Sequence, residues 1–291
     1  MMSGHETSRV ALVTGGNAGI GLETCRGLLA AGFHVILGAR TQAKADAAIA
    51  ELLATSPDGS TAEALIFDLA SLDSVRRAAE AFLRTERTLS VCVLNAGIMA
   101  LPWQMTVDGF EQQWQVNVLG HFLLCRILLP AMDDGQGRVL HLSSRAHRRH
   151  PAPIDYERLR QEHLSDAHYD RWFAYGRSKL ANILFSNELA RRLVERGRKI
   201  TSNAIHPGLV ATNLLTNAGG NRDRGVPIAE GARTSIYLAT SSDVAGKSGG
   251  YYVRSALVAE GGDRTEISLS ETEGRRFWRS ACQALSLSEA L

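Results

Sequence analysis

RVALVTGGNAGIGLETCRGLLAAG, Arg9 to Gly32, is the stretch that decides the fold. An apolar, β-branched run ends at Thr14, turns through TGGNAGIG, and continues into the helical pattern LETCRGLLAAG. A strand, a glycine-rich turn and a helix N-terminus together offer unpaired backbone N–H groups and the positive end of a helix dipole to a pyrophosphate. Glycine suits such a loop because a Cβ would block close approach of the backbone. The spacing is G-x-x-x-G-x-G, set by Gly15, Gly19 and Gly21 with Asn17 and Ile20 between them, and it differs from the G-x-G-x-x-G dinucleotide fingerprint. Taken alone it is modest evidence, with a turn that holds three glycines for geometry only as the alternative.

Outward from this unit the same alternation repeats. Strand patterns are expected at Arg9 to Thr14, Phe33 to Gly38, Ala62 to Phe67, Ser90 to Asn95, Gly137 to Ser143, Ile200 to Ile205 and Gly249 to Val253. Helical patterns separate them at 18–31, 41–55, 71–86, 106–133, 167–197 and 228–240. Alternating β and α segments imply an α/β, Rossmann-like doubly wound parallel sheet of about seven strands with helices on both faces. No linker interrupts the pattern, so residues 1–291 are expected to form a single dinucleotide-binding catalytic domain, with a substrate-loop region at about 212–230 and a C-terminal extension at about 261–291. Arg145 to Leu164 and Leu214 to Pro227 are rich in turn-forming and polar residues and read as loops after strand ends, where active sites are built.

Composition narrows the function. The net charge is +2 and the basic residues are scattered, which argues against a nucleic-acid partner. Cys25, Cys92, Cys125 and Cys282 form no CxxC pair, and the opening MMSGHETSR lacks the apolar core of a signal peptide, so a cytoplasmic protein is expected. The longest apolar region, Val116 to Met132, is interrupted by Gly120, His121, Arg126 and Pro130, and no membrane span is expected. The nine histidines show no metal-ligand spacing, so no metal is expected. Arg145, His147, Arg148, Arg149 and His150 read as a solvated loop rather than an anion or membrane patch.

The residue that ends the second strand discriminates between the nicotinamide dinucleotides. An acidic side chain there accepts from ribose hydroxyls, whereas a basic one favours the extra phosphate of NADP. GAR places Arg40 at that point, favouring NADP(H) over NAD(H). Three further segments add chemistry: NAG (Asn95 to Gly97), the pair Ser143 and Ser144, and YGRSK, whose Tyr175 and Lys179 share one helix face.

With these motifs in this order, and with Asn117, the chain resembles the short-chain dehydrogenase/reductase superfamily over nearly its whole length. VNVLGHFLL from Val116, SSRAH from Ser143, FAYGRSKLANILF from Phe173, HPGLVAT from His206 and AEGARTSIYLA from Ala229 resemble its retinol dehydrogenase and WW-domain oxidoreductase branch. The resemblance implies hydride exchange between NADP(H) and a carbonyl or alcohol. Tyr175 is the implied acid/base, Lys179 the cation that tunes it and holds the nicotinamide ribose, and Ser144 the donor to the substrate oxygen. Lowering a tyrosine from near 10 toward neutrality needs roughly 4 kcal/mol of differential stabilisation, which a neighbouring cation can supply. Asn117 is the implied holder of a relay water between Lys179 and solvent.

Asp68 and Leu69 are implied at the adenine, Asn95, Ala96 and Gly97 at the adenosine ribose and central strands, and Pro207, Gly208, Val210 and Thr212 at the nicotinamide carboxamide. The remaining alternatives are reduction of a conjugated C=C bond, as in the light-dependent protochlorophyllide reductases that resemble this branch, and a non-catalytic NADP(H)-binding regulator. A homo-oligomer through the 106–133 and Tyr175-bearing helices is a further expectation. The mixed apolar and basic content of the loops at Ala100 to Met105, Arg145 to Ala174 and Leu214 to Pro227 points to a lipophilic substrate.

Overall fold

The computed structural model describes residues 9–161, 168–259 and 262–291. The start of the expected 167–197 helix, the end of the Arg145 to Leu164 stretch, Gly261 and the first eight residues lie outside the described residues.

Among the described residues, eight strands form one sheet in the order β3-β2-β1-β4-β5-β6-β7-β8. They are β1 (Val10–Thr14), β2 (His34–Ala39), β3 (Ala62–Ile66), β4 (Leu89–Leu94), β5 (Arg138–Leu142), β6 (Thr201–His206), β7 (Tyr251–Val253) and β8 (Ala256–Leu257). Pairing is parallel from β3 through β7, and β8 turns back antiparallel on β7. The eighth strand is the departure from the expected seven: two residues carry no alternation that a sequence pattern can register.

The helices are α1 (Gly19–Ala30), α2 (Gln42–Leu53), α3 (Leu72–Leu83), α4 (Gln112–Trp114), α5 (Gly120–Leu128), α6 (Tyr156–Gln161), α7 (Arg171–Glu195), α8 (Asn213–Asn217), α9 (Ile228–Thr240), α10 (Glu266–Leu269) and α11 (Glu271–Ala284). A π-helical turn, Gln115–Leu119, joins α4 to α5. Both stretches expected as loops contain short helices: a 3-10 turn at Arg145–Arg149 and α6 in the first, most of α8 in the second. The basic cluster is correspondingly not a fully solvated loop. His147 and His150 are buried, and Asp263 pairs with Arg145 at 2.8 Å and Arg148 at 3.4 Å.

Strand alternation sorts the apolar residues onto the two faces. Val10, Leu12, Ile36, Cys92 and Leu94 meet α3, α5, α7 and α11, whereas Ala11, Val13, Val35, Leu37, Val91 and Val93 meet α1, α2 and α9. The strand order reverses between β1 and β4. At that switch point the carboxyl ends of neighbouring strands diverge and leave a crevice. The turns after β1, β4, β5 and β6 therefore converge on one edge.

Candidate active site

Gly15 has φ +65° and Gly19 φ +55°, both in the left-handed region that favours glycine. A Cβ on Gly21 would lie 2.2 Å from the Gly15 carbonyl oxygen, so the turn closes only with glycine there. A Cβ on Gly15 would meet Ala96 Cα at 3.1 Å, and one on Gly19 would meet Thr212 Cγ2 at 3.4 Å. The glycine loop is thus flanked by the turns after β4 and β6. Ala18, at the N-cap of α1, supplies no side-chain cap, which leaves first-turn N–H groups of the helix for another acceptor. Asn17 and Ile20 are half-buried in this loop.

Thr14 fastens the neighbouring turn. Its Oγ1 accepts from Asn95 N and Ala96 N, both at 2.9 Å, and its carbonyl accepts from Asn95 Nδ2 at 2.7 Å. Arg40 is exposed immediately after β2. Asp68 turns one carboxylate oxygen back to Ala70 N at 2.9 Å, bracing the entry to α3, while Leu69 is buried beneath Gly120. Gly208 has φ +93°, Val210 is buried and bridges Val226, and Thr212 stands at the N-cap position of α8 without a side-chain cap bond.

The helix α7 carries the polar centre. Asp170 caps it by accepting from Trp172 N and Phe173 N at 2.8 and 3.0 Å. Tyr175 and Lys179 follow at i and i+4, with Lys179 Nζ 5.6 Å from the Tyr175 ring centroid. Both are buried, and Lys179 Nζ donates to Leu142 O at 2.8 Å. Ser144, two residues past the end of β5, is half-buried, and its hydroxyl acts on that of Tyr175. Its Oγ accepts from Ala146 N at 3.1 Å, which fixes the rotamer. Ser143 is buried on the other side and donates to Lys179 O at 2.6 Å. The Trp172 ring stands edge-on to Tyr175 at 6.3 Å.

Asn117 lies within the π turn. Its Nδ2 donates to Ile98 O and Ser178 Oγ, both at 3.0 Å, and its Oδ1 accepts from Ile98 N at 2.9 Å. A Cβ on Gly97 would come within 3.2 Å of Asn117 Oδ1 and 3.6 Å of Lys179 Nζ, so the NAG turn, Asn117 and Lys179 share one small space.

Burial pushes the Tyr175 hydroxyl up to about 12, opposed by the neighbouring Ser144 hydroxyl, and pushes Lys179 down to about 8. This differs from the expected lowering of Tyr175. The lysine is itself desolvated and gives up its own charge more readily, and burial keeps the phenol neutral.

The short chain dehydrogenase family model matches residues 9–154. Mouse retinol dehydrogenase 14 is 40% identical over 93% of this chain and 84% of its own length. The human WW domain-containing oxidoreductase is 41% identical over 84% of this chain, which spans 61% of that protein. The chain belongs to the short-chain dehydrogenase family.

A crystal structure of an uncharacterised Mycobacterium paratuberculosis protein superposes with a TM-score of 0.77, covering 97% of this short-chain dehydrogenase and 95% of that chain at 33% identity. The Pseudomonas aeruginosa RhlG/NADP active-site complex matches 85% of this chain and 95% of its own at a TM-score of 0.65 and 29% identity. The dehydrogenase is accordingly an oxidoreductase with a doubly wound fold. Among its described residues, no helix is long and apolar enough to cross a membrane.

Ser144, Tyr175, Lys179, Asn117 and Gly97 are brought together by the fold, and Gly15, Gly19, Gly21, Ala96 and Thr212 line the adjoining turns. Sequence reasoning passed over His121, Thr14 as a side-chain ligand of the NAG turn, and Asn182, whose Nδ2 shares Leu142 O with Lys179 at 3.0 Å. For His121 the available signal was a polar residue four positions after Asn117 within the otherwise apolar run VNVLGHFLL.

Proposed function

We propose that this dehydrogenase reduces a lipophilic carbonyl, or oxidises the corresponding alcohol, with NADP(H), and that Tyr175 is the acid/base. The observation that carries the reading is the buried Tyr175–Lys179 pair, with Lys179 Nζ 5.6 Å from the Tyr175 ring centroid and Ser144 alongside, at the edge where the glycine loop, the NAG turn and the turn after β6 meet. The cradle fits a dinucleotide: a Cβ on Gly21 would strike the Gly15 carbonyl, so the turn closes tightly there, and the first turn of α1 has no side-chain cap. Arg40 would meet a 2′-phosphate; Asn17, Ile20, Asp68, Leu69 and Asn95 to Gly97 would hold the adenosine half; and Pro207, Gly208, Val210 and Thr212 would orient the nicotinamide. When bound, that group supplies or accepts the hydride.

The residues of the chain do the rest. Ser144 Oγ donates to the substrate oxygen and stabilises the negative charge that develops there. The Tyr175 phenol, neutral at physiological pH in this setting, donates its proton to the same oxygen during reduction. Lys179 stabilises the resulting phenolate electrostatically, and Asn117, fully buried beside Lys179, would hold the water that relays protons from it. The resemblance to retinol dehydrogenase 14 and the NADP-bound structural relatives support a lipophilic substrate and the phosphorylated dinucleotide.

Oxidation of NADPH and NADH over a panel of ketones, aldehydes, enones and quinones, with products identified, tests the proposal. Turnover is expected with NADPH, and Tyr175→Phe is expected to lower kcat by about 10²–10⁴. Arg40→Asp is expected to cut the preference for NADPH over NADH at least about tenfold. Equal kcat/KM for the two dinucleotides in the wild type would overturn the cofactor assignment, and exclusive reduction of the enone C=C bond would overturn the carbonyl one.

A further inference from the structure

His121 is buried at the start of α5, among Phe122, Leu123 and Leu124. Its Nε2 lies 2.9 Å from Thr14 Oγ1 and its Nδ1 3.2 Å from the main-chain oxygen of Asn117. Counting donors fixes the direction of both bonds. A hydroxyl has two acceptor lone pairs and one proton. The two acceptor positions of Thr14 Oγ1 are taken by Asn95 N and Ala96 N. Its proton is therefore left for His121 Nε2, which must accept. A neutral imidazole with Nε2 unprotonated carries its proton on Nδ1, facing a carbonyl that can only accept. Both ends of the ring demand the same tautomer.

We propose that His121 is a positioning residue for the proton relay: held as the neutral Nδ1–H tautomer between Thr14 and Asn117, it clamps the Asn117 carbonyl and ties it to the turn that carries the cofactor cradle. This rests on the reductase reading above, in which Asn117 and Lys179 form the relay. The π turn is what makes a clamp useful. A wider helical turn loosens the regular carbonyl-to-amide ladder, and such turns recur at functional sites where a backbone group must be aimed elsewhere. Thr14 belongs at once to β1, to the NAG turn through Asn95 and Ala96, and to His121, so one hydrogen-bond chain runs from the cofactor side to the catalytic side. Protonation is disfavoured: burial pushes His121 down to about 4, and the titratable groups that face it are Lys179 on α7 and His141 on β5. A charged ring would also have to take a proton on Nε2, which Thr14 could accept only by giving up one of its backbone donors.

Long-range ¹⁵N–¹H NMR on histidine-labelled protein reads the tautomer directly, with His121 identified by the signal lost in His121→Asn. The expected result is a single Nδ1–H form that does not titrate between about pH 5.5 and about pH 9. An Nε2–H form, or a titration in that range, would overturn the lock. Kinetics test the positioning role. His121→Phe keeps the ring and loses both hydrogen bonds, and it should lower kcat about ten- to a hundredfold, leave KM within about threefold, and move the apparent pKa of the kcat profile by at least about half a unit. His121→Asn, whose amide keeps a donor near Nδ1, should recover most of kcat. Equal losses in the two variants with an unmoved pH profile would show that the residue merely packs. A wild type without turnover would overturn the reductase reading and the relay role with it, whereas the NMR result judges the tautomer lock independently.

Discussion

Gly21 shows how little freedom the site leaves a single residue. A methyl group there would sit 2.2 Å from the Gly15 carbonyl oxygen, a backbone atom that cannot swing aside as a side chain would. Gly21→Ala is expected to destabilise the fold by about 1–3 kcal/mol and to weaken dinucleotide binding at least about tenfold. Thermal unfolding and a fluorescence titration with NADPH would check the two parts, and unchanged affinity would contradict the role given to this turn. Residues of this kind are legible in a sequence because their type is dictated locally: glycines at a turn, or a tyrosine and lysine four apart. His121 was not legible, because its meaning depends on Thr14, which is 107 positions away and reached only through the β1–β4 crossover. Nor was the upward push on Tyr175, which comes from burial that no motif encodes.

At the level of elements, strands were readable to within about two residues because their apolar runs are short and sharply bounded. The elements that escaped are those whose existence depends on packing: α6, α8, α10, β8 and the π turn. The amphipathic RRFWRSACQA segment, Arg275 to Ala284, forms most of α11, which packs against α7. Trp278 is fully buried, edge-on to Phe122 at 4.9 Å, with the Arg192 guanidinium 4.5 Å from its ring. Its indole N–H donates to Glu289 O at 2.9 Å, fastening the last residues of the chain. Trp278→Ala is expected to cost about 3–5 kcal/mol in unfolding free energy. A loss below about 1 kcal/mol in a denaturant titration would show that α11 contributes little to the core. Since α11 braces the helix that bears Tyr175 and Lys179, the same variant should also lower activity.

Across the whole molecule, the strand order gathers residues from Gly15 to Thr212 at one edge, and it also buries an unusual set of bases. Burial pushes His121 and His206 down to about 4 and His141 to about 3. These rings stay neutral in the fold but accept protons once the chain unfolds below about pH 6.5, so the unfolded state binds more protons and stability falls as pH falls from about 6.5 toward 4. Burial of the Glu111 carboxyl pushes it up and offsets part of this effect. Calorimetry in buffers of different ionisation enthalpy should detect uptake of about two protons on unfolding near pH 5, and no uptake would exclude neutral buried histidines. The far margin of the sheet has a different consequence. An open margin of paired strands is a template for further chains, yet here it ends in β8, two residues long and folded back through Arg254 and Ser255 in left-handed conformations. So short a ledge gives an incoming strand almost no ladder to extend, and that side of the protein is guarded against edge-to-edge aggregation.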